Sequence, residues 1–269
     1  MSNNNTTTGN NRPTARQRLQ EAQRREAKAA AVRRRAVIGV SVLAALAVVG
    51  GATAIAISTA DGGSSAAASS APVVTPANTS GPDGTVVVYG KADAPHTLAV
   101  YEDFRCPVCQ KLEAGAGQSI TQLADDGTYK IEYHLAAFLD SNLGGKGSHT
   151  ALAAAGAALD EGPDKFKKFH DVLYANQPEE REDGFGDVNR ILELADQVPG
   201  LKTEAFTKAV TEGTYLPWAD KVAAAFDKSG VRGTPTVLLD GKQLNVFGQN
   251  GSPLSGDQYT ALVRQTVGA

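Results

Sequence analysis

The sequence predicts an α/β fold in which a helical block interrupts a sheet domain, preceded by a single transmembrane helix and a flexible linker. Three observations lead to this prediction. Strand-like runs stand on both sides of a long helical stretch at about 142–229. The first strands enclose a helix, which is the order of a crossover unit in a parallel sheet. A long run without charge lies near the N-terminus.

The N-terminal region begins with a basic head, residues 1–35, that holds nine Lys or Arg residues and two acidic ones. Residues 36–60 carry no charge and as a helix would span about 37 Å, against roughly 30 Å of bilayer hydrocarbon. We expect a retained single-pass anchor in the cell membrane with a cytoplasmic N-terminus, because positive flanks stay inside. The alternative is a signal peptide that is cleaved, which would leave a secreted protein.

Beyond the anchor, residues 61–84 are small, polar and interrupted by proline, which predicts a flexible linker. Residues 85–269 have the composition of a globular domain, and the topology places this domain outside the cytoplasm. Of the 26 basic and 29 acidic residues, 17 basic and 27 acidic ones lie beyond the head. An acidic surface of this kind repels phosphate backbones, so nucleic-acid binding is not expected.

The globular domain opens with strands predicted at 85–89, as an edge strand, and at 97–104, as a more central one. A helix follows from Cys106, and we expect it to bend or break at Gly115 and Gly117 because glycine weakens a helix. The next predicted strand is 130–137.

The long helical stretch begins with Ser148 as the expected N-cap of its alanine-rich first helix. The helices are predicted at about 148–159, 164–175, 187–197, 203–212 and 216–229. Two strands then return, 236–240 and 243–247, joined by an Asp240-Gly241 turn. A last helix is expected from about 255 to 267.

The two cysteines of the chain lie in the run Cys106-Pro107-Val108-Cys109. Pro107 suits the first position of a helix, so the helix N-terminus should face the sulfur of Cys106 and lower its pKa. The adjacent Arg105 adds a positive charge. We therefore predict that Cys106 is an exposed nucleophile and that Cys109, one turn further along, is the resolving thiol.

Two other interpretations of the pair stay open. A passive disulfide would close so short a loop that it restrains the unfolded chain little. A zinc site needs about four ligands, and the rest would have to come from scattered histidines or carboxylates. We expect no cofactor beyond the redox-active disulfide of Cys106 and Cys109, and no metal.

Acidic and histidine side chains near the pair have weaker interpretations. Glu102 and Asp103 are candidate acceptors for the proton of Cys109, although Asp103 is equally suited to end the strand and cap the following helix. His134, His149 and His170 are interpreted as structural. Three aromatic residues are expected in the core of the helical block: Trp218, Phe166 and Phe169.

The sequence resembles the DsbA-like branch of the thioredoxin superfamily, in its membrane-anchored bacterial form. The resemblance covers about residues 85–269. It rests on the run DFRCPVC at 103–109 after a strand, on the helical insertion, and on GVRGTPT at 230–236 before a strand. A thioredoxin-like fold with an inserted helical domain is what this resemblance implies.

The resemblance also implies roles for residues around the cysteines. Pro235 should form a cis peptide bond against the disulfide, and Thr234 should offer its backbone to the substrate peptide. Together with Pro107 and Val108 they would tune the redox centre. Strongly oxidising members place a histidine where this chain has Val108, which has no polar group to stabilise a thiolate.

The expected activity is extracytoplasmic thiol–disulfide exchange with cysteine-containing secreted or membrane proteins, with the chain as oxidase and a membrane redox partner to reoxidise it. A reductase or isomerase of the same fold is the close alternative, because direction depends on the reduction potential. A tethered, non-enzymatic peptide-binding adaptor is the alternative from another class.

Overall fold

The computed structural model of the protein describes residues 73–81 and 83–268. The predicted basic head, the predicted anchor at 36–60 and residues 61–72 of the predicted linker lie outside the described residues. Among those described, no helix has both the length and the apolar character needed to cross a membrane.

A six-stranded mixed sheet forms the centre of the fold, in the order β1-β2-β4-β3-β5-β6. The neighbours β3 and β4 run parallel, and the other pairs run antiparallel. Both central strands have residues buried in the core, among them Leu98, Val100 and Ile131. The strands are β1 (Thr79–Ser80), β2 (Val86–Tyr89), β3 (His96–Asp103), β4 (Tyr129–Ala136), β5 (Thr236–Leu239) and β6 (Lys242–Gln243).

Helices connect and cover these strands, and six of them form the insertion between β4 and β5. Between β3 and β4 lie α1 (Pro107–Leu112), a π-helical turn (Glu113–Gly117) and α2 (Gln118–Asp125). The insertion consists of α3 (Phe138–Leu143), α4 (Gly147–Asp160), α5 (Pro163–Ala175), α6 (Val188–Ala195), α7 (Glu204–Glu212) and α8 (Leu216–Lys228), with a 3₁₀ turn at Gly184–Gly186. The chain closes with α9 (Gly256–Val267).

The alanine-rich helix α4 is the hub of the insertion and is buried along nearly its whole length. Its small side chains allow neighbouring helices to approach closely, as at Gly156. A Cβ atom on Gly156 would lie 2.6 Å from the indole of Trp218, which is itself fully buried. Trp218, Phe166 and Phe169 all lie in the core, as predicted.

The α/β class and the helical insertion are confirmed, and the helices predicted from 148 onward agree with the structure to within about two residues at each end. The insertion starts earlier than the predicted residue 142, because the unpredicted helix α3 begins at Phe138. The helix after Cys106 is irregular where Gly115 and Gly117 predicted it, because the π-helical turn occupies that stretch. Asp240 and Gly241 have φ values of 50° and 76°, which confirms a tight turn between β5 and β6.

Three local predictions are wrong. Ser148 is not the N-cap of α4, because the helix begins at Gly147 and the Ser148 amide already donates to Asp140. The predicted strand 243–247 is reduced to Lys242–Gln243 and one isolated bridge from Phe247. The strand predicted at the edge is covered, because β1 pairs with β2 on its outer side.

Residues 73–81 and 83–84, which the sequence assigned to the linker, are folded and form a strap between the sheet and the insertion. Besides supplying β1, the strap accepts hydrogen bonds from Trp218 Nε1 at Gly84 O (2.7 Å) and from Lys221 Nζ at Asp83 O (2.6 Å). It also donates from the Ala77 amide to Asp160 Oδ1 over 2.8 Å. Long-range contacts of this kind are invisible to a compositional criterion, which is why the predicted boundary at residue 85 is too late.

Removal of the strap is expected to destabilise the domain. A chain that starts at residue 85 should unfold with a free energy roughly 3–5 kcal/mol lower than one that starts at residue 73, since it loses several hydrogen bonds and uncovers the buried Trp218. Urea unfolding followed by tryptophan fluorescence measures the difference. Equal midpoints for the two chains would show that the strap contributes nothing.

Candidate active site

The cysteine pair lies where β3 passes into α1. Cys106 is the N-cap of α1 and Pro107 occupies the first turn, as predicted. Cys109 follows one turn later and is fully buried. Cys106 is less open than expected, with 6% of its surface exposed, whereas Val108 is 39% exposed. A substrate therefore reaches the pair over Cys106 and Val108.

The loop before β5 faces the same helix N-terminus, because β5 runs antiparallel beside β3. The Thr234–Pro235 peptide bond is cis, as the resemblance implied. The thiol of Cys106 donates to the carbonyl oxygen of Thr234 over 3.4 Å. An extended peptide bound along this loop would thus pass directly over the sulfur of Cys106.

The pKa values of the two thiols are shifted in opposite directions. A hydrogen bond from Cys109 makes the largest contribution to lowering the pKa of Cys106 to about 6, and burial opposes this shift. The side chain of Thr234 and the amides of Val108 and Cys109 lower the pKa further. Burial is the main reason why the pKa of Cys109 is raised well above its usual value. At neutral pH the arrangement favours one thiolate, on Cys106, supported by a neutral thiol.

The insertion holds the loop that carries Cys106. Gln177 donates from Nε2 to the carbonyl oxygens of Phe104 (2.8 Å) and Cys106 (3.1 Å). Between them, Arg105 is 2% exposed and donates to Asp140 Oδ1 over 2.7 Å. The guanidinium of Arg105 thus points into the insertion and pairs with Asp140. The prediction that its charge lies beside the sulfur of Cys106 is therefore wrong. Neither anchoring contact was predicted.

Asp103 ends β3 as predicted, but its carboxylate does not cap α1. Its Oδ1 accepts from the Arg105 amide (2.9 Å) and the Ser148 hydroxyl (2.6 Å), and its Oδ2 accepts from the Leu139 amide (3.1 Å). Burial raises the pKa of Asp103. With both oxygens engaged, this side chain ties β3 to α3 and α4.

Glu102 has a different environment. It is fully buried, and its Oε2 lies 2.9 Å from Nε2 of His170, while its Oε1 has no hydrogen-bond partner within the described part of the chain. Its charge contributes to the raised pKa of Cys109, so the two groups are electrostatically coupled. Of the two candidate proton acceptors, Glu102 is the one with a free oxygen.

His170 and Glu113 complete a buried polar cluster around Glu102. Burial opposes protonation of His170, but hydrogen bonds to Asp171 and Glu102 raise its pKa to about 9. Burial and then the charge of Glu102 raise the pKa of Glu113 to about 7. This cluster was not predicted, because its members come from three elements that are far apart in the chain: β3, α5 and the π-helical turn.

The other two histidines lie apart from this cluster. His134 stacks on Tyr101 with ring centroids 4.4 Å apart, and burial lowers its pKa. His149 binds Asp140 through Nδ1 over 2.9 Å, and this hydrogen bond raises its pKa. Both sets of contacts are compatible with the structural interpretation made from the sequence.

Comparison with known proteins places this site in a family. The family model described as Thioredoxin matches residues 83–263. Disulfide bond formation protein D of Bacillus subtilis is 27% identical over 161 residues, which are 60% of this chain and 70% of that protein. The reduced DsbA structure from Mycobacterium tuberculosis superposes with a TM-score of 0.54 at 27% identity, over 73% of this chain and 91% of that one.

A third match supports the fold alone. Oxidised BdbD from Bacillus subtilis gives a TM-score of 0.56 at 24% identity, over 74% of this chain and all of that one. The family match spans strands β2 to β6, the insertion, the cysteine pair and the cis-proline loop. The chain therefore belongs to the thioredoxin family, as a DsbA-like thiol–disulfide oxidoreductase.

Proposed function

We propose that this oxidoreductase works as an extracytoplasmic oxidase, which transfers a Cys106–Cys109 disulfide to cysteine-containing secreted or membrane proteins. The observation that carries the proposal is the low pKa of Cys106. A thiol that is a stable thiolate is a good leaving group, and its stability favours the dithiol form of the protein. A protein that is more stable reduced is an oxidant.

The proposed reaction starts from the disulfide form. A substrate thiolate attacks the sulfur of Cys106, the Cys106–Cys109 bond breaks, and Cys109 leaves with the electron pair and takes up a proton. A second substrate thiolate then attacks the substrate sulfur of the mixed disulfide and releases Cys106 as a thiolate. The substrate loses two electrons and the protein gains them.

We assign the proton of Cys109 to Glu102. Glu102 would accept the proton that Cys109 loses when the internal disulfide closes again. Its free Oε1 and its electrostatic coupling to Cys109 support this role. Asp103 is a positioning residue instead, since both of its oxygens already accept hydrogen bonds.

Substrate contact is proposed at the surface formed by Pro107, Val108, Thr234 and Pro235. Val108 is exposed beside the nucleophile, and the Thr234 carbonyl lies at hydrogen-bond distance from the sulfur of Cys106. A bound peptide would replace the thiol as the partner of this backbone. Val108 lacks a polar group, so the Cys109 thiol is the main stabiliser of the thiolate.

The proposed location is the outer face of the cell membrane, with residues 36–60 as a retained anchor and the N-terminus in the cytoplasm. The charge-free run and the nine preceding Lys or Arg residues support this topology. A membrane redox partner would reoxidise the pair after each turnover. Cleavage after the apolar run would instead give a secreted form.

Trapping tests the assignment of the two cysteines. Cys109→Ser should accumulate mixed disulfides between Cys106 and its substrates, because the resolving thiol is gone. A reductant should cleave these mixed disulfides, and a Cys106→Ser, Cys109→Ser double variant should not form them. If the single variant traps no partner in cells, the chain acts as a non-enzymatic peptide-binding adaptor.

The cysteines of the trapped partners then reveal the direction. An oxidase predicts that these partners accumulate as free thiols in cells that lack the protein. A reductase or isomerase predicts the opposite, an excess of oxidised or wrongly paired partners. Thiol labelling followed by mass spectrometry separates the two.

A further inference from the structure

We propose that Glu102, Glu113 and His170 form a binding site for a divalent transition-metal ion, with Zn²⁺ as the expected occupant. The site lies in the buried cluster near Cys109 and contains neither thiol, but it shares Glu102 with the proton transfer proposed above, so a bound ion would compete with the proton of Cys109 for this carboxylate. It goes beyond the proposed exchange reaction, which needs no metal.

The donor atoms are already close to one another. One ligand atom from each of the three residues lies within 4.8 Å of the others, and His170 Nε2 is 2.9 Å from Glu102 Oε2. Two atoms that each bind one zinc ion at about 2.1 Å are at most about 4.2 Å apart. Side-chain shifts of roughly 1 Å or less therefore close the set around an ion.

The carboxylates present oxygens that nothing in the described part of the chain engages. Oε1 of Glu102 and Oε1 of Glu113 are both buried without a hydrogen-bond partner there. A buried carboxylate oxygen without a partner is unfavourable relative to the same oxygen in water. A cation between the two glutamates would satisfy both oxygens at once.

Asp171 orients the histidine for this purpose. Its Oδ1 lies 3.3 Å from Nδ1 of His170, on the side of the ring opposite Glu102. A carboxylate on the outer nitrogen holds the proton there and leaves Nε2 free to bind a metal. Lys167 pairs with Asp171 in turn and keeps it in place.

Charge balance favours a dication. The cluster contains three carboxylates, on Glu102, Glu113 and Asp171, and the ammonium of Lys167. The acidic groups thus outnumber the ammonium, and a divalent ion offsets this excess of carboxylates in a buried place.

The donor set also selects the kind of ion. One imidazole and two carboxylates, completed by a water from the solvent-open side as the fourth ligand, suit Zn²⁺ and related first-row ions, whereas Ca²⁺ and Mg²⁺ prefer oxygen ligands alone. An ion has a route to the site, because Glu113 and Asp171 line a cavity of about 610 Å³ that is open to solvent.

Zinc titration of the full-length protein in detergent tests the proposal. The disulfide form is used, so that Cys106 and Cys109 cannot bind the metal. Calorimetry should show one Zn²⁺ per chain, and Co²⁺ should give the visible absorption of a bound, non-octahedral ion. Glu113→Gln should weaken Zn²⁺ binding about a hundredfold, since loss of an outer-sphere partner alone costs 10–100-fold.

Asp125→Asn is the matched control, because Asp125 lines the same cavity but lies outside the donor set. It should bind Zn²⁺ like the parent chain. Circular dichroism checks that Glu113→Gln is folded, and a zinc-induced rise in melting temperature in the parent and Asp125→Asn chains, but not in Glu113→Gln, would support the site independently. Absence of stoichiometric binding, or equal affinities in the two variants, would overturn the proposal without touching the exchange reaction.

Discussion

Between pH 5 and pH 8, the dithiol form is expected to gain about 2.5 kcal/mol of stability relative to the disulfide form. The cause is the pKa of Cys106, which lies near 6 in the folded protein and at 9.0 for an unperturbed thiol. A lowered pKa stabilises the folded state above the unfolded value, and this stabilisation is lost as the pH falls through the folded value. The window is therefore pH 9 down to pH 6.

Which of the two forms is the more stable depends also on how much the disulfide itself stabilises the folded protein. A disulfide that closes a four-residue loop stabilises the oxidised form by roughly 2 kcal/mol. At pH 8 the thiolate contributes about 2.7 kcal/mol to the reduced form. The dithiol form should thus be the more stable one at pH 8 by somewhat under 1 kcal/mol, and the less stable one at pH 5.

Urea unfolding of both forms across this pH range gives the difference directly. Cys109, the other thiol of the dithiol form, stays protonated up to pH 8 because its pKa is raised, and the remaining titrating groups are common to the two forms. Cys109→Ala identifies the cause: the pKa of Cys106, followed by thiolate absorbance, should rise when the thiol that donates to it is removed. A disulfide form that is the more stable one throughout pH 5–8 would contradict the oxidase direction.

Features that depend on residues close together in the chain were predicted correctly from the sequence. The helix at 148–159 is rich in alanine and the helix at 216–229 is amphipathic, and both are long, so tertiary packing did not override their helical tendency. The position of Pro107 at the start of a helix likewise follows from the chemistry of proline. Recognition of the cis bond before Pro235 needed the family resemblance, because most X–Pro bonds are trans.

What the sequence missed depends on partners far apart in the chain. Arg105 appeared to be a charge for Cys106, but its partner Asp140 is 35 residues away. His170 appeared to be an ordinary core histidine, and its partner Glu102 is 68 residues away. Neither pairing leaves a spacing or periodicity in the sequence, so only the fold reveals that both join the sheet domain to the insertion.

Replacement of Asp140 by Asn is expected to lower the free energy of unfolding by about 3 kcal/mol. Arg105 is 2% exposed, and the change would leave its charge without its closest partner, at the usual cost of breaking a buried ion pair. Asp183, 3.4 Å away and 35% exposed, compensates only in part. Asp220→Asn is the matched control, since this 73% exposed partner of His149 should change stability by under about 0.5 kcal/mol.

Acid should reduce the effect of Asp140→Asn. Burial acts against ionisation, yet hydrogen bonds from His149, Ser148 and Arg105 hold the pKa of Asp140 well below its usual range. The stabilisation from this carboxylate is therefore complete above about pH 4 and is lost as the pH falls below that. Urea unfolding of the parent and Asp140→Asn chains should converge at the acid end.

Asp140→Asn should also alter the surroundings of Cys106, because Arg105 directly precedes Cys106 in the loop that Asp140 anchors. Movement of this loop would alter the distance from the sulfur of Cys106 to the Thr234 carbonyl and the hydrogen bond from Cys109. We expect Asp140→Asn to raise the pKa of Cys106, measured by thiolate absorbance, and Asp220→Asn to leave it unchanged. An unaltered thiolate titration in a destabilised Asp140→Asn protein would show that the ion pair supports the insertion without positioning Cys106.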